Sequence, residues 1–281
     1  FLNFADPNKE VDGQRAEWRT PHPFLTDLAV RQAMNLGADR ATIAERLYGQ
    51  GANPSANILV GIPAYESPNT SWAFDVEEGK RILEEAGWTM QGDVRAKDGV
   101  ELRLVYAASI NQVRQQTQAI VKQALDEMGF QVELRQIEPS VFFDSSPGND
   151  QNYNHFYTDV QMDTNGPSTP FPISFMAIWY SDEGQNIAQA ANRWNGLNKS
   201  RYNNPEYDAL YEAVQTETDP ERAAEMFIEM NDILIDEVVV IPLVQRPAEK
   251  YAIANTLREA NVAAGSFEPL YWNIANWNRS S

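Results

Sequence analysis

Two histidines, His22 and His155, are the side chains of this sequence best suited to acid–base or metal chemistry near neutral pH. Zinc usually takes three or four ligands, and neither histidine has a second ligand at a motif spacing. The chain contains no cysteine, which excludes thiol nucleophiles, cysteine-ligated zinc and iron–sulfur clusters. We therefore expect no catalytic role and no metal-binding role for either histidine.

Other catalytic motifs are equally weak. The sequence has no G-x-S-x-G motif of a hydrolase, and Gly49 and Gly51 lack the third glycine of a dinucleotide-binding loop. The 40 acidic residues leave a carboxylate pair for glycoside hydrolysis open, but their positions do not locate one. The sequence therefore predicts a protein that is not an enzyme, with a glycosidase as the least favoured alternative.

An oxygen-rich loop at residues 6–12 is a candidate cation site. Asp6, Asn8, Glu10 and Asp12 alternate with other residues as in calcium loops, but Gly13 comes later than the glycine of an EF-hand. A solvated turn is the favoured interpretation, and cation binding stays open. No cofactor is expected.

Charge and composition restrict the class of protein further. With 22 basic and 40 acidic residues the net charge is −18, which argues against nucleic acid as a partner because phosphate binding needs clustered Lys and Arg. A hydrophobic content of 43% over 281 residues is enough for a large core. The longest aliphatic run, residues 238–241, is far shorter than the roughly 18 to 20 apolar residues of a membrane span.

The order of the elements predicts an α/β fold. A strand at residues 102–106, a helix at 110–128 and a strand at 132–137 make one β-α-β unit. The other predicted helices follow the caps Asp27, Asp39, Asp75 and Asp219 or begin at Pro205, and the other predicted strands are residues 155–162, 238–244 and 250–254.

Five blocks of the sequence, taken together, resemble the family 5 solute-binding proteins. Each block alone is a weak signal, but the five occur in the family's order. They are residues 24–40 (FLTDLAVRQAMNLGADR), 51–55 (GANPS), 74–88 (FDVEEGKRILEEAGW), 202–210 (YNNPEYDAL) and 241–243 (IPL). Members of this family serve ABC importers for oligopeptides, dipeptides, nickel and some oligosaccharides. Within the first block, Arg31 is expected to pair with an acid.

The resemblance implies a periplasmic-binding-protein-like (type II) lobe, an α/β fold with a mixed β-sheet flanked by helices. Family members are longer chains, so residues 1–281 are identified as a single carboxyl-terminal lobe of a two-lobed protein. Residues from about 1–20 and 245–281 would be hinge and return segments that contact the missing amino-terminal lobe. The sequence shows no signal peptide at its amino end. An extracytoplasmic location, in the periplasm or as a cell-surface lipoprotein, is therefore implied by the resemblance alone.

The function implied is that of the substrate-binding component of an ABC importer. Such a protein captures a small solute, an oligosaccharide or a peptide, between two lobes and delivers it to permease subunits. A ligand-sensing domain of a transcriptional regulator is the alternative, because the same fold occurs in such regulators.

The ligand class is judged from departures from the family's pattern. In peptide-binding members an acid in the segment that matches residues 165–176 pairs with the free α-amino group of the peptide. Ser168 stands at the position of that acid, and Asn165 replaces a tryptophan. A hydroxyl cannot replace the charge-assisted hydrogen bond, a loss of roughly 1.5–3 kcal/mol. Asp163 is the alternative acid if the loop is rebuilt.

Neutral polar groups and aromatic rings make up the predicted ligand-binding set. The candidates are Asp163, Thr164, Asn165, Ser168, Trp179, Trp194 and Tyr202. Ring faces with amides and hydroxyls suit an uncharged polyhydroxyl ligand, so oligosaccharide is marginally favoured over peptide. Core packing is the competing interpretation of each tryptophan, and nickel is disfavoured because histidines are few.

Overall fold

The computed structural model describes residues 1–146, 148–246 and 274–277. Its α-helices are α1 (Leu28–Leu36), α2 (Arg40–Ile43), α3 (Val76–Glu85), α4 (Gln112–Glu127), α5 (Pro139–Phe142), α6 (Ile173–Met176), α7 (Pro205–Val214) and α8 (Pro220–Asp236). Its strands are β1 (Glu10–Val11), β2 (Gln14–Arg15), β3 (Asn53–Pro54), β4 (Thr89–Gln91), β5 (Val94–Lys97), β6 (Val100–Glu101), β7 (Arg103–Ser109), β8 (Gln131–Ile137), β9 (Val160–Met162) and β10 (Val244–Gln245). The strand expected at residues 250–254 lies outside the described residues.

The central sheet places β7 between β8 and β9, and all three strands are parallel. Helix α4 makes the crossover from β7 to β8, which confirms the predicted β-α-β unit. The side chains of Leu104 and Tyr106 face the larger core, whereas Ala107 faces a smaller cluster with Phe142. Both faces of β7 are therefore covered, as a central parallel strand requires.

Residues 1–3 pair antiparallel with β9 on its outer side. Leu2 forms a bridge with Val160, the Asn3 N–H donates to the Asp159 carbonyl over 3.0 Å, and the Gln161 N–H donates to the Phe1 carbonyl over 3.0 Å. This segment makes the sheet mixed, in agreement with the expected fold class.

The helix starts follow the predicted caps. The carboxylates of Asp27, Asp75 and Asp219 accept hydrogen bonds from backbone N–H groups in the first turns of α1, α3 and α8. Asp27 also accepts from the indole N–H of Trp88 over 3.0 Å, and that ring is buried in the core. Helix α7 covers the predicted segment that begins at Pro205.

Two hydrophobic clusters make up most of the core. The first packs α1, α3 and α4 against the central sheet through side chains such as Met34, Leu83 and Leu125. The second packs α7 and α8 against α6 and contains Tyr207 and Phe227. No helix in residues 1–146, 148–246 and 274–277 has the length and apolar character needed to cross a membrane.

Two predicted strands were too long. In residues 155–162 only β9 is a strand, because Phe156 has a φ of +44° that breaks extended pairing. In residues 238–244 Val238, Val239 and Val240 are buried, but Val238 has a φ of +49°. Only the last residue, the partly buried Val244, lies in a strand, β10, which pairs with β3. At these two segments the apolar residues therefore indicated a buried chain and not a β-strand.

The local prediction for Arg31 was wrong, whereas the loop at residues 6–12 begins with a turn, the structure favoured for it. The guanidinium of Arg31 pairs with no acid among its observed hydrogen bonds and instead donates to the backbone carbonyls of Glu237 and Leu25. The Asp6 carboxylate accepts from the backbone N–H groups of Asn8 and Lys9, so the oxygen-rich loop at residues 6–12 starts with an Asx turn. The described residues contain no group of three His, Cys, Asp or Glu side chains that could hold a metal ion.

Candidate ligand-binding site

A cavity of about 200 Å³ lies beside the central sheet. It is lined by side chains of β7, α4, β9 and the residues that follow β9. The loop after β9 stands at the carboxyl ends of the parallel strands, where open α/β sheets generally bind their ligands. An engineered apolar cavity of about 150 Å³ accepts benzene, so this one is large enough for an aromatic or branched aliphatic group.

The wall of this cavity is largely apolar. Met34, Ile43, Leu104, Val121 and Val160 contribute aliphatic surface from both the helices and the sheet. Within the described residues, the lining also contains one carboxylate, that of Asp163, and two guanidinium groups, those of Arg114 and Arg246. A ligand with a bulky apolar part and a few polar groups would complement this wall.

Three buried polar atoms of the lining have no hydrogen-bond partner among the described residues. They are the side-chain carbonyl oxygen of Gln161, the Asp163 Oδ1 and the indole N–H of Trp179. Gln161 and Trp179 are 3% and 1% exposed. Because a buried polar group without a partner costs roughly 1–3 kcal/mol, three such groups on residues of one cavity lining are candidate partners for a ligand's polar groups.

Two of these groups are close together in the sequence. Gln161 lies in β9 and Asp163 directly follows the last residue of that strand, while Val160 and Met162 pack against the first core and also line the cavity. Trp179 follows α6 and stacks on Phe1 with ring centroids 5.9 Å apart. The lining residues thus include two with an unpartnered acceptor, one in β9 and one directly after it, and one with an unpartnered donor after α6.

Asp163 is one half of a buried ion pair. Its Oδ2 accepts a hydrogen bond from the ammonium of Lys199, and the two side chains are 9% and 4% exposed. The Lys199 ammonium also lies over the rings of Phe1 and Tyr153, at 4.2 and 4.8 Å from their centroids. The lysine is therefore held by a carboxylate and two ring faces.

The structure brings together four of the seven predicted site residues. Asp163, Thr164, Asn165 and Trp179 all line the cavity, while Ser168, Trp194 and Tyr202 are not part of its lining. Ser168 is exposed on the loop after β9. The resemblance implies an amine-binding acid at this position. Ser168 differs from such an acid because it is uncharged and because it does not line the cavity.

Trp194 and Tyr202 have structural partners elsewhere. The Trp194 ring packs on His155 with centroids 3.8 Å apart, and Tyr202 is buried in the second core. The Tyr202 hydroxyl donates to Glu237 over 2.8 Å. Burial raises the pKa of Tyr202 well above its ordinary value, and the bond to Glu237 adds to this effect.

Three residues of the site were missed from the sequence. Gln161 lies in β9, two positions before Asp163, and this spacing could have found it. Arg114 lies at the start of α4, close to the end of β7, where its guanidinium donates to Ser109. Lys199 is 36 positions from Asp163, so no local sequence pattern could have predicted their contact.

His155, which holds Trp194, gives a prediction of pH dependence. Burial lowers the pKa of His155 below its ordinary value of 6.5, and Arg201 lowers it further against an opposing effect of Asp150. The unfolded chain then takes up a proton before the folded chain as the pH falls through 6.5, so acid removes stability. Between pH 7 and pH 5 we expect the free energy of unfolding to fall less in the His155→Phe variant than in the parent protein.

Urea unfolding at both pH values measures this difference. The phenyl ring keeps the contact with Trp194 and removes the titration. Equal losses in the two proteins would show that His155 does not contribute to acid sensitivity.

The comparison with protein families decides the assignment of the chain. The model of a family described as "Bacterial extracellular solute-binding proteins, family 5 Middle" matches residues 2–187, which is more than half of the chain. The chain belongs to this family. The resemblance derived from the five sequence blocks is thereby confirmed.

Curated relatives of this family 5 chain are oligopeptide-binding proteins. OppA from Mycobacterium tuberculosis (strain ATCC 25618 / H37Rv) is 26% identical over 264 residues, which are 92% of this chain and 41% of that protein. OppA from Bacillus subtilis (strain 168) is 26% identical over 227 residues, 78% of this chain and 37% of that protein. The chain spans less than half the length of these relatives.

Solved structures show the same fold. AppA from Bacillus subtilis, in complex with a nonapeptide, superposes with a TM-score of 0.70 at 18% identity, over 92% of this chain and 48% of AppA. NikZ from Campylobacter jejuni, in complex with Ni(L-His), has the same TM-score and identity over 92% of this chain and 50% of NikZ. The expected fold, a solute-binding α/β lobe with a mixed sheet, is therefore confirmed.

Proposed function

We propose that this chain is the carboxyl-terminal lobe of the peptide-binding component of an ABC importer. The lobe forms one wall of an inter-lobe cleft, holds a peptide without altering it, and closes with an amino-terminal lobe on the ligand. The loaded protein then docks on membrane permease subunits. An extracytoplasmic location goes with this role and with the family's description as extracellular proteins.

The observation that carries the proposal is the set of three unpartnered polar atoms on residues that line one largely apolar cavity. A peptide unit offers an N–H donor and a carbonyl acceptor side by side. The acceptors on Gln161 and Asp163 suit the N–H, and the indole of Trp179 suits the carbonyl. Apolar side chains of the peptide would cover the aliphatic wall.

Peptide replaces oligosaccharide as the favoured ligand for three reasons. Two of the aromatic rings expected to stack on sugar faces, Trp194 and Tyr202, have structural partners outside the cavity lining. The curated relatives OppA are named as oligopeptide-binding proteins. A polyhydroxyl ligand would leave many hydroxyl groups facing aliphatic walls, which costs free energy.

The direct test is thermal unfolding of the complete binding protein with candidate ligands. A pool of penta- to nonapeptides rich in Leu and Phe is compared with malto- and cello-oligosaccharides and with nickel plus histidine. A ligand at about 100 times its Kd stabilises by roughly 2.7 kcal/mol, which raises Tm by several degrees. A shift with the oligosaccharides or nickel, and none with the peptides, would refute the proposal.

Gln161→Met tests the site itself. The methionine fills a similar volume and removes the unpartnered oxygen, so we expect peptide Kd to rise about 10-fold while the free protein loses no stability. Isothermal titration and urea unfolding measure the two effects. Gln91→Met, at an exposed position of β4, is the matched control and should change neither. An unchanged Kd in the Gln161 variant would remove this oxygen from the site.

A further inference from the structure

The charge of Asp163 is already compensated within the lobe. Lys199 donates to its Oδ2 in the buried ion pair, and the same ammonium rests on the rings of Phe1 and Tyr153. The second carboxylate oxygen, Oδ1, is buried, belongs to a residue of the cavity lining and has no partner among the described residues. The site therefore offers one more hydrogen bond at Asp163 without a free negative charge.

The other two unpartnered polar groups of the lining are neutral. The unpartnered oxygen of Gln161 belongs to an amide, and the unpartnered donor of Trp179 is an indole N–H. At Ser168, where the resemblance places an amine-binding acid, the chain has an exposed hydroxyl that does not line the cavity. No second carboxylate is found in the described lining that could receive an ammonium ion.

A ligand ammonium at Asp163 Oδ1 would stand on the same carboxylate as Lys199. Two cations on one buried carboxylate repel each other strongly, because the apolar wall screens charge poorly. The ligand ammonium would also give up its hydration on entering the cavity. A neutral peptide N–H avoids both penalties and still satisfies Oδ1.

We propose that, because Asp163 is paired with Lys199, this lobe binds an uncharged backbone N–H of the peptide rather than a free α-amino group. The substrate class is then peptides held through internal or blocked amide groups, so that amino-terminal acylation leaves binding intact. This inference rests on the proposed function, since it assumes a peptide ligand. Lys199 acts in it as a positioning residue that works through Asp163.

The first experiment uses the complete binding protein without substitutions. The Leu- and Phe-rich peptide pool is prepared with free amino termini and with acetylated amino termini, and the Kd of each form is measured for the peptides that are retained. We expect acetylation to change Kd by less than about 3-fold. A loss of more than about 10-fold on acetylation would overturn the inference and leave the proposed function standing.

Failure of both peptide forms to bind would overturn the proposed function and this inference together. The two failures are thus distinguishable. The comparison needs no variant, so it decides the question even if a substitution at Lys199 prevents folding.

The second experiment asks whether Lys199 sets the preference. In Lys199→Met the carboxylate of Asp163 has no counter-charge, so free-amine peptides should gain at least about 10-fold over acetylated ones. Adding Asp163→Asn to this variant should return the ratio to that of the parent. An unchanged ratio in Lys199→Met would contradict the role of the lysine.

Lys80→Met is the matched control. Lys80 also pairs with carboxylates, Glu77 and Glu127, but these pairs are exposed on α3 and α4, away from the cavity. The ratio of the two affinities should equal that of the parent protein in this variant.

Discussion

Replacing Arg201 with methionine is expected to lower the free energy of unfolding by roughly 3 kcal/mol or more. The Arg201 side chain is 2% exposed, and its guanidinium donates to the backbone carbonyls of Ala16, Lys199 and His155 over 2.6–2.8 Å. A fourth, longer bond of 3.5 Å reaches the side-chain oxygen of Asn3. One side chain therefore joins the loop at residues 199–201 to three other parts of the chain, at residues 3, 16 and 155.

The loss has a direct physical cause. Methionine fills much of the space but leaves three buried carbonyls without donors, at roughly 1–3 kcal/mol each. Removal of a buried charge offsets part of this cost, because burial lowers the pKa of Arg201 to about 10 and so disfavours its charged form. The net effect remains large because the carbonyls cannot reach water.

Urea unfolding of parent and variant measures the effect. Arg103→Met is the matched control, because the Arg103 side chain is half exposed and pairs with Glu101 at the surface. It should change stability by less than about 0.5 kcal/mol. A similar small change in the Arg201 variant would show that the three carbonyls find other donors.

Gly196→Ala is expected to be the most damaging addition of a single methyl group in the loops near the site. A Cβ at position 196 would stand 2.5 and 2.6 Å from backbone atoms of Ile187 and Ala188, and closer still to the carbonyl oxygen of Asn186. These are main-chain atoms held by hydrogen bonds between residues 186–188 and 197–198, so they cannot move aside cheaply. We expect a loss of roughly 3 kcal/mol, or about 6–12 °C in Tm.

Differential scanning calorimetry measures this shift. Gly166→Ala is the control, because a Cβ there meets no atom within 4 Å, and its Tm should stay close to that of the parent. If Gly196→Ala had the same Tm as the parent, residues 186–188 and 197–198 could move apart without a measurable loss of stability.

Both positions bear on the ligand site. Lys199 lies between Gly196 and Arg201, and its backbone carbonyl accepts one of the guanidinium's hydrogen bonds. Loosening this loop would displace the ammonium that holds Asp163. We therefore expect the stability of this loop and the affinity for ligand to change together.

The regular elements could be predicted from the sequence because their causes are local. Caps such as Asp27 and Asp75, and the spacing of apolar residues along α4, act over a few positions. The central β-α-β unit follows from the same signals, which is why its strands and helix lie close to where they were expected.

The long segments between β8 and α7 could not be predicted in this way. The side-chain amide of Asn3 donates to the carbonyls of Phe156 and Thr158, more than 150 positions away, and Arg201 joins the same region. Such contacts have no sequence period. Trp194 and Tyr202 were therefore placed in the ligand set although their partners are protein groups.

The pairing of residues 1–3 with β9 has a consequence for association between molecules. It supplies backbone partners to a strand that would otherwise present free N–H and C=O groups to any extended chain. On the far border of the sheet, β8 instead displays the charged pair Glu133 and Arg135. Loss of residues 1–3 would therefore leave the outer edge of β9 free to pair with strands of other molecules, which promotes aggregation. The charged side chains of β8 disfavour such pairing at the other edge of the sheet.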